Sequence, residues 1–373
     1  MTLARRLAAL CLLGLVTISP AGAQESGPAP VAALGEADYA AIVAGVIDGA
    51  VVPGFATLDE AAARFSGDVA AFCAAPDASG LAGLRGSFRE TVLAFSAVEY
   101  LRFGPLLEDH RLERLAFWPD ARGLGLRQVQ GALAAADESA ASAETLAGKS
   151  VAMQGVTALD FLLAGAGADD LAVPGAADFR CRYAAAAAAN VAGIAGDLDA
   201  AWSDAASPAR RLFAEPGPDN PMFQTSREAA GEIFKQVATG LEIVADHKLR
   251  TILGETPEKA KPRLAPFWRS GLTMASVRAD VAGLRSVVAA SGAAGRLPAE
   301  LAWLGNAIDF EFANAERAAA RLDAPIERVV SEPDLRALAG YLALTLSSLR
   351  AEVGSDLTGA IGLSKGFNSL DGD

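Results

Sequence analysis

Apolar residues along this chain recur at spacings of three and four, and runs alternating apolar with polar are scarce. The first spacing gathers side chains on one face of a helix, so the pattern predicts an all-α protein. In 88–102, Phe88, Val92 and Phe95 share a face; 178–204 repeats the arrangement with Val191, Ile194, Leu198 and Trp202. The alanine run at 184–189 favours helix strongly and lets a neighbouring helix approach closely. Further helices are predicted near 38–50, 57–75, 127–147, 150–164, 226–247, 271–291, 298–321 and 332–352.

The helical pattern breaks at 206–223, where Pro208, Pro216, Pro218 and Pro221 prevent a helix from continuing. Helices lie on both sides, so two bundle halves are expected, 24–205 and 224–373, joined by a linker at 206–223. A second break at 254–267 interrupts the C-terminal half, and no convincing repeat relates the halves. The tail carries Ile361, Leu363, Phe367 and Leu370, too apolar for a solvated end. It is expected to dock and to bring Asn368 or Asp371 toward the surface between the halves.

The N-terminus departs from this pattern. Arg5 and Arg6 precede an apolar stretch from Leu7 to Ile18, and Ala21-Gly22-Ala23 offers a small-residue cleavage site. These features predict a signal peptide over 1–23, cleaved after Ala23, and a place in the periplasm or cell envelope. Cys11 follows Leu10 inside the apolar stretch, where lipoprotein processing would want a small residue. No later segment reads as long and apolar enough to span a membrane. Without the leader two cysteines remain, Cys73 and Cys181, and outside the cytosol such a pair is expected to form a disulfide. Two buried free thiols are the alternative. The formal net charge of -13 argues against nucleic acid and anionic lipid surfaces and is compatible with bound cations. With only His110 and His247 present, a multi-histidine zinc or copper site is excluded.

Chemistry is sought where polar groups fall on apolar faces. Glu99 and Arg102 share the stripe of Phe88, Val92 and Phe95; they form either a structural ion pair or a charged cluster facing a cleft. The loop 117–123 presents Trp118, Asp120 and Arg122, and either lines a site or covers the core. In 151–165, Val156, Leu159 and Leu163 define the buried arc, and Asp160 falls inside it. Thr157 lies one turn before Asp160, so their oxygens could converge on a ligand. Equally, the hydroxyl could bond to backbone and the carboxylate to an arginine elsewhere. No nucleophile elbow, phosphate loop, dinucleotide fingerprint, calcium loop or HExxH occurs, which disfavours the standard hydrolase classes.

Five stretches taken together resemble the imelysin-like family, once described as insulin-cleaving membrane peptidases. They are RFGP at 102–105, FWPD at 117–120, GVTALDFLL at 155–163, WRSGL at 268–272 and GFNSLDGD at 366–373. Their order matches the family from about Ala37 to the end of the chain. The resemblance implies two helical-bundle halves, a site between them, a cell-envelope location and an association with iron acquisition. The family's G-x-H-x-x-E hallmark falls on Gly155, Thr157 and Asp160. Histidine has become threonine and glutamate has become aspartate, and a hydroxyl is a poor first-row metal ligand.

The expected function is a noncatalytic binding or accessory protein linked to iron uptake, with no catalytic residues assigned. A metallopeptidase and a protein-docking envelope protein are the alternatives. The expected ligand site draws on Glu99, Arg102, Trp118, Asp120, Arg122, Gly155, Thr157, Asp160, Arg269, Asn368 and Asp371. Asp160 and Glu99 are the expected metal ligands, while Arg102, Arg122 and Arg269 suit an anionic group. An iron ion or iron chelate is the expected cargo, with envelope iron-uptake proteins as partners.

Overall fold

The structure, a computed structural model, describes residues 34–363. The expected leader, its cleavage site and the tail residues Asn368 and Asp371 lie outside the described residues. The regular structure of the described residues is all helical, with no strand, as the apolar periodicity predicts.

Helices α1 (Glu36–Val46) and α2 (Val52–Ala74) run on from one another through a wider π-helical turn at Ile47–Val51. Pro53 is tolerated because it falls in the first turn of α2. The result is one rod, Glu36–Ala74, of 39 residues and mean hydropathy 1.8 in its most apolar window. That length and composition would suffice to cross a bilayer, which corrects the expectation that nothing after the leader would. Reading 38–50 and 57–75 as separate helices hides it. The rod's apolar stripe is already occupied: Tyr39, Ile42, Val46, Phe55, Leu58 and Phe65 are buried within the protein.

Helix α3 (Ala78–Ser96) begins at Asp77, whose carboxylate accepts the Gly80 N–H at 2.6 Å. It stops at Ser96, short of the predicted end at 102, and the chain turns before Gly104-Pro105. Helices α4 (Leu124–Ala135), α5 (Gly155–Ala164) and α6 (Asp178–Ser203) complete the first half. The predicted helix at 127–147 breaks at Ala136, which adopts a left-handed conformation with φ 46°. Helix α6 lies along α2, and the buried Ala184, Ala187 and Ala188 supply the small surface that close approach requires. The Cys73–Cys181 disulfide joins these two helices, with Cα atoms 5.8 Å apart.

The proline-rich 206–223 stretch holds a short helix, Pro208–Ala214, capped by Ser207 with Pro208 in its first turn. Beyond it, α7 (Ser226–Glu242) continues through a π-helical segment, Ile243–Arg250, to Leu253. Helices α8 (Thr273–Ser291), α9 (Ala302–Arg321) and α10 (Pro333–Ala351) follow. Helices α7 to α10 pack on one another, and α1 inserts between α7 and α8. Helix α3 also touches α8, so a continuous apolar core runs through the described chain.

Candidate functional site

The end of α5 nearest the 117–123 loop explains Gly155. Its φ is +74°, and a Cβ there would lie 2.3 Å from the Arg114 carbonyl oxygen and 2.1 Å from that of Leu115. Only glycine lets α5 start against that turn. Gly155 therefore acts through backbone packing and does not face the cleft described next. Gln154 beside it is fully buried; its amide oxygen accepts from Asn190 at 3.0 Å and from Arg114 at 3.2 Å.

Trp118, Asp120, Thr157, Asp160 and Arg269 line a cleft of about 850 Å³. Its walls come from the 117–125 loop, α4 and α5 on one side, and from 263–271 with Glu327 on the other. Phe117, Trp118, Phe161, Phe267 and Trp268 make it largely aromatic. The fold therefore brings five residues of the expected site together. Asp120 acts as a local cap, accepting the Leu124 N–H at 2.7 Å and the Gly125 N–H at 2.9 Å. Arg122 is exposed and outside the lining.

Thr157 and Asp160 do not converge on an empty space. The Thr157 hydroxyl accepts the Phe117 N–H at 3.2 Å, fastening the aromatic loop to α5. Asp160 is buried; one of its oxygens accepts the Ser270 N–H at 3.1 Å and the Ser270 hydroxyl at 2.5 Å. The other oxygen lies 3.7 Å from the Arg269 guanidinium. Burial pushes the Asp160 carboxyl above its ordinary value, partly offset by Ser270 and Arg269. Arg269 stacks on Trp268, 4.5 Å from the ring centroid, and on Phe161 at 5.4 Å.

A second polar cluster lies beneath Trp118. Lys248, 1% exposed, donates to Glu99 and to both Asp280 oxygens, at 3.1 and 2.8 Å. Its ammonium sits 6.0 Å from the centre of the Trp118 ring. Trp118 is held from the other direction by its indole N–H, which donates to the Leu264 carbonyl at 2.9 Å. Burial pushes Glu99 up but Lys248 overcomes it, leaving the carboxyl below its ordinary value. Burial, together with the Glu99 charge, lifts Asp280 well above its own, despite Lys248. The two carboxylates hold Lys248 above the ordinary lysine value against the effect of burial. Fully ionised, the three groups would carry one uncompensated negative charge, and a proton on Asp280 removes it.

Glu99 thus belongs to this cluster and does not line the cleft. Its partner differs from the expected Arg102. With α3 ending at Ser96, Glu99 turns toward Lys248, and the half-buried Arg102 keeps an Nε without a hydrogen-bond partner. Lys248, Asp280 and Arg263 were missed from the sequence, while Trp268 and Ser270 lie in the WRSGL stretch but were not assigned to the site. The signal for two of them was present: Lys248 sits on the Val244–Ile252 stripe and Asp280 on the Val277–Leu284 stripe, each a charge on an apolar face.

A metal at the hallmark position does not fit these residues. Thr157 offers a hydroxyl already engaged with backbone, and Asp160 shares its oxygens among two Ser270 donors and a guanidinium. Glu99 is likewise committed to Lys248. Among the described residues, no group of three His, Cys, Asp or Glu side chains is placed to hold a metal ion.

The fold and cleft define an all-helical protein with an aromatic, charge-bearing groove. The chain belongs to the imelysin family, peptidase M75, whose family model matches residues 51–353. Its fold is similar to that of an imelysin-like protein from Psychrobacter arcticum 273-4, at 19% identity and TM-score 0.72, over 90% of this chain and 98% of that one. It is also similar to a protein assigned as an iron-regulated protein A precursor from Parabacteroides distasonis ATCC 8503. There the identity is 14% and the TM-score 0.65, over 88% of this chain and 97% of that one. No curated protein matches the chain in sequence.

Proposed function

We propose that the chain is an exported, noncatalytic binding protein of the cell envelope that serves iron uptake and takes a small polar ligand or metal chelate in the cleft. The observation that carries this reading is the grouping of Trp118, Thr157, Asp160 and Arg269 around one cavity of about 850 Å³, a size suited to a small molecule. Export is supported by the signal-like N-terminus, and the iron link by family membership and the likeness to the iron-regulated Parabacteroides protein. The noncatalytic character is supported by Thr157 and Asp160, whose oxygens are spent on the scaffold and are not free to hold a metal with an activated water.

The test is calorimetry of the purified protein with ferric citrate and with simple divalent ions. Ferric citrate should bind one per chain, more weakly in Arg269→Gln, while bare divalent ions should not bind. Silence with ferric citrate would refute the iron link. Peptide cleavage that disappears in Asp160→Ala would refute the noncatalytic role.

A further inference from the structure

The cleft's charges are unequally committed. Of its three carboxylates, Asp120 caps α4 and Asp160 is bound by Ser270 and Arg269, leaving Glu327 exposed on the rim. Of its two guanidiniums, Arg269 is loosely paired with Asp160 at 3.7 Å. The other, Arg263, is exposed and lines the cleft without an ion pair to any carboxylate among the described residues. Its contact is with Trp268, 5.8 Å from the ring centroid, the same ring on which Arg269 stacks at 4.5 Å. Two like charges held on one indole repel, and each is near enough for Arg263 to oppose the charge on Arg269. The cleft as a whole sets three carboxylates against two guanidiniums, but at the Trp268 ring both guanidiniums meet a single carboxylate, Asp160, whose oxygens are already shared with Ser270.

We infer that Arg263, Arg269 and Trp268 form the anion seat of the cleft, and that its ligand is a small organic acid whose carboxylate lies between the two guanidiniums. Guanidinium is planar and its paired N–H groups match the two oxygens of a carboxylate. An anion placed there relieves the repulsion between the arginines, so the seat gains from occupancy twice over. The rest of the cavity selects the organic body. Phe117, Trp118, Phe161 and Phe267 present apolar and aromatic faces, which suit a carbon skeleton and offer nothing to an inorganic ion. Arg263 presents its guanidinium at the exposed side of the cleft, while Arg269, anchored by Phe161 and Asp160, fixes the position of the acid.

This inference rests on the reading of the cleft as a ligand site, but not on iron. The probes are phthalate and citrate, with neutral phthalamide and inorganic phosphate as controls. Binding is followed at low ionic strength by calorimetry and tryptophan fluorescence. Phthalate or citrate should bind, phthalamide should not, and phosphate should bind more weakly than either acid. Arg263→Glu, at an exposed position, should keep the helical circular dichroism and weaken the acid by about tenfold or more, the worth of a charge-assisted contact. Arg263→Lys should recover part of the loss, since the charge returns without the fork. Binding unchanged in Arg263→Glu, equal binding of phthalamide, or failure of both acids to bind would each overturn the inference. Phosphate binding more tightly than the acids would overturn the organic-acid class. If the acids bind in an Arg263-dependent way while ferric citrate does not, the iron link falls and the anion seat stands. If ferric citrate binds but is indifferent to Arg263, the seat falls and the iron link stands.

Discussion

Replacing Lys248 with methionine should be among the most damaging single changes available to this protein. The side chain is 1% exposed, and its ammonium is the cation shared by Glu99 and Asp280, both buried. Methionine fills the stem but leaves two carboxyl groups facing each other in the core. Removing one partner of a buried ion pair typically costs about 3–5 kcal/mol, because the remaining charge keeps its desolvation penalty. The cost must depend on pH, and the sign follows from the groups left behind. In the wild type Lys248 holds Glu99 below its ordinary value, so Glu99 stabilises the fold at pH above that value and the contribution fades on acidification. Without Lys248, burial raises Glu99, and burial with the Glu99 charge raises Asp280 further. A raised carboxyl contributes stability below its unfolded value and loses it as the pH climbs through the folded one. Urea unfolding of Lys248→Met followed by circular dichroism should therefore show a deficit of about 3–5 kcal/mol at pH 8 and a smaller one at pH 5. The triple variant Glu99→Gln, Lys248→Met, Asp280→Asn, which leaves no charge behind, should recover most of the loss. A single variant within about 0.5 kcal/mol of wild type at pH 8 would refute the reasoning, since that is the level of an inconsequential surface change.

Two further changes probe other parts of the scaffold. Gly155→Ala should lower stability by at least about 2 kcal/mol, because φ +74° is strained for alanine and its Cβ would press on the Leu115 carbonyl; an unaltered melting temperature would show that the turn gives way freely. Asp137 accepts from the Ser139 hydroxyl and from Lys149, which bring its carboxyl from the ordinary 3.8 down to about 2. Its stabilising contribution is present above 3.8 and lost as the pH falls through about 2, so carboxyl NMR should place the midpoint near the lower value, and Ser139→Ala should move it upward. A midpoint unmoved by Ser139→Ala would mean that the hydroxyl is not the cause.

The helical class was legible because apolar spacing of three and four is a local property that packing reinforces. The disulfide was legible too, from the two cysteines that remain beyond the leader. Asp160 could be singled out because a carboxylate on an apolar stripe always needs a partner, but the stripe does not say which one. Its donors, Ser270 and Arg269, lie some 110 positions away across the cleft. The same limit misassigned Glu99, whose neighbour in sequence was Arg102 and whose neighbour in space is Lys248, 149 positions on. Lys248 and Asp280 carry the same signal, a charge on an apolar stripe, and with Glu99 they outline the whole cluster. Thr157 was the harder case, since a half-buried hydroxyl can serve backbone or ligand, and only the position of the Phe117 N–H decides between them. Arg263 left no trace: an arginine in a proline-bearing loop reads as solvated surface until the cavity beside it is seen.

Helix α1 has a consequence for how the chain comes together. It is the first described segment to be synthesised, yet its partners are α7 and α8, and the Tyr39 hydroxyl donates to the Ile361 carbonyl, 322 positions later. The C-terminal bundle is therefore closed by a strut from the opposite end of the polypeptide. A fragment beginning near residue 224 would present the groove that α1 fills, with Tyr39, Ile42, Val43 and Val46 missing from it. During synthesis those same side chains must wait, uncovered, until nearly all of the chain has emerged. Two halves that look separable along the sequence are thus laced together through α1.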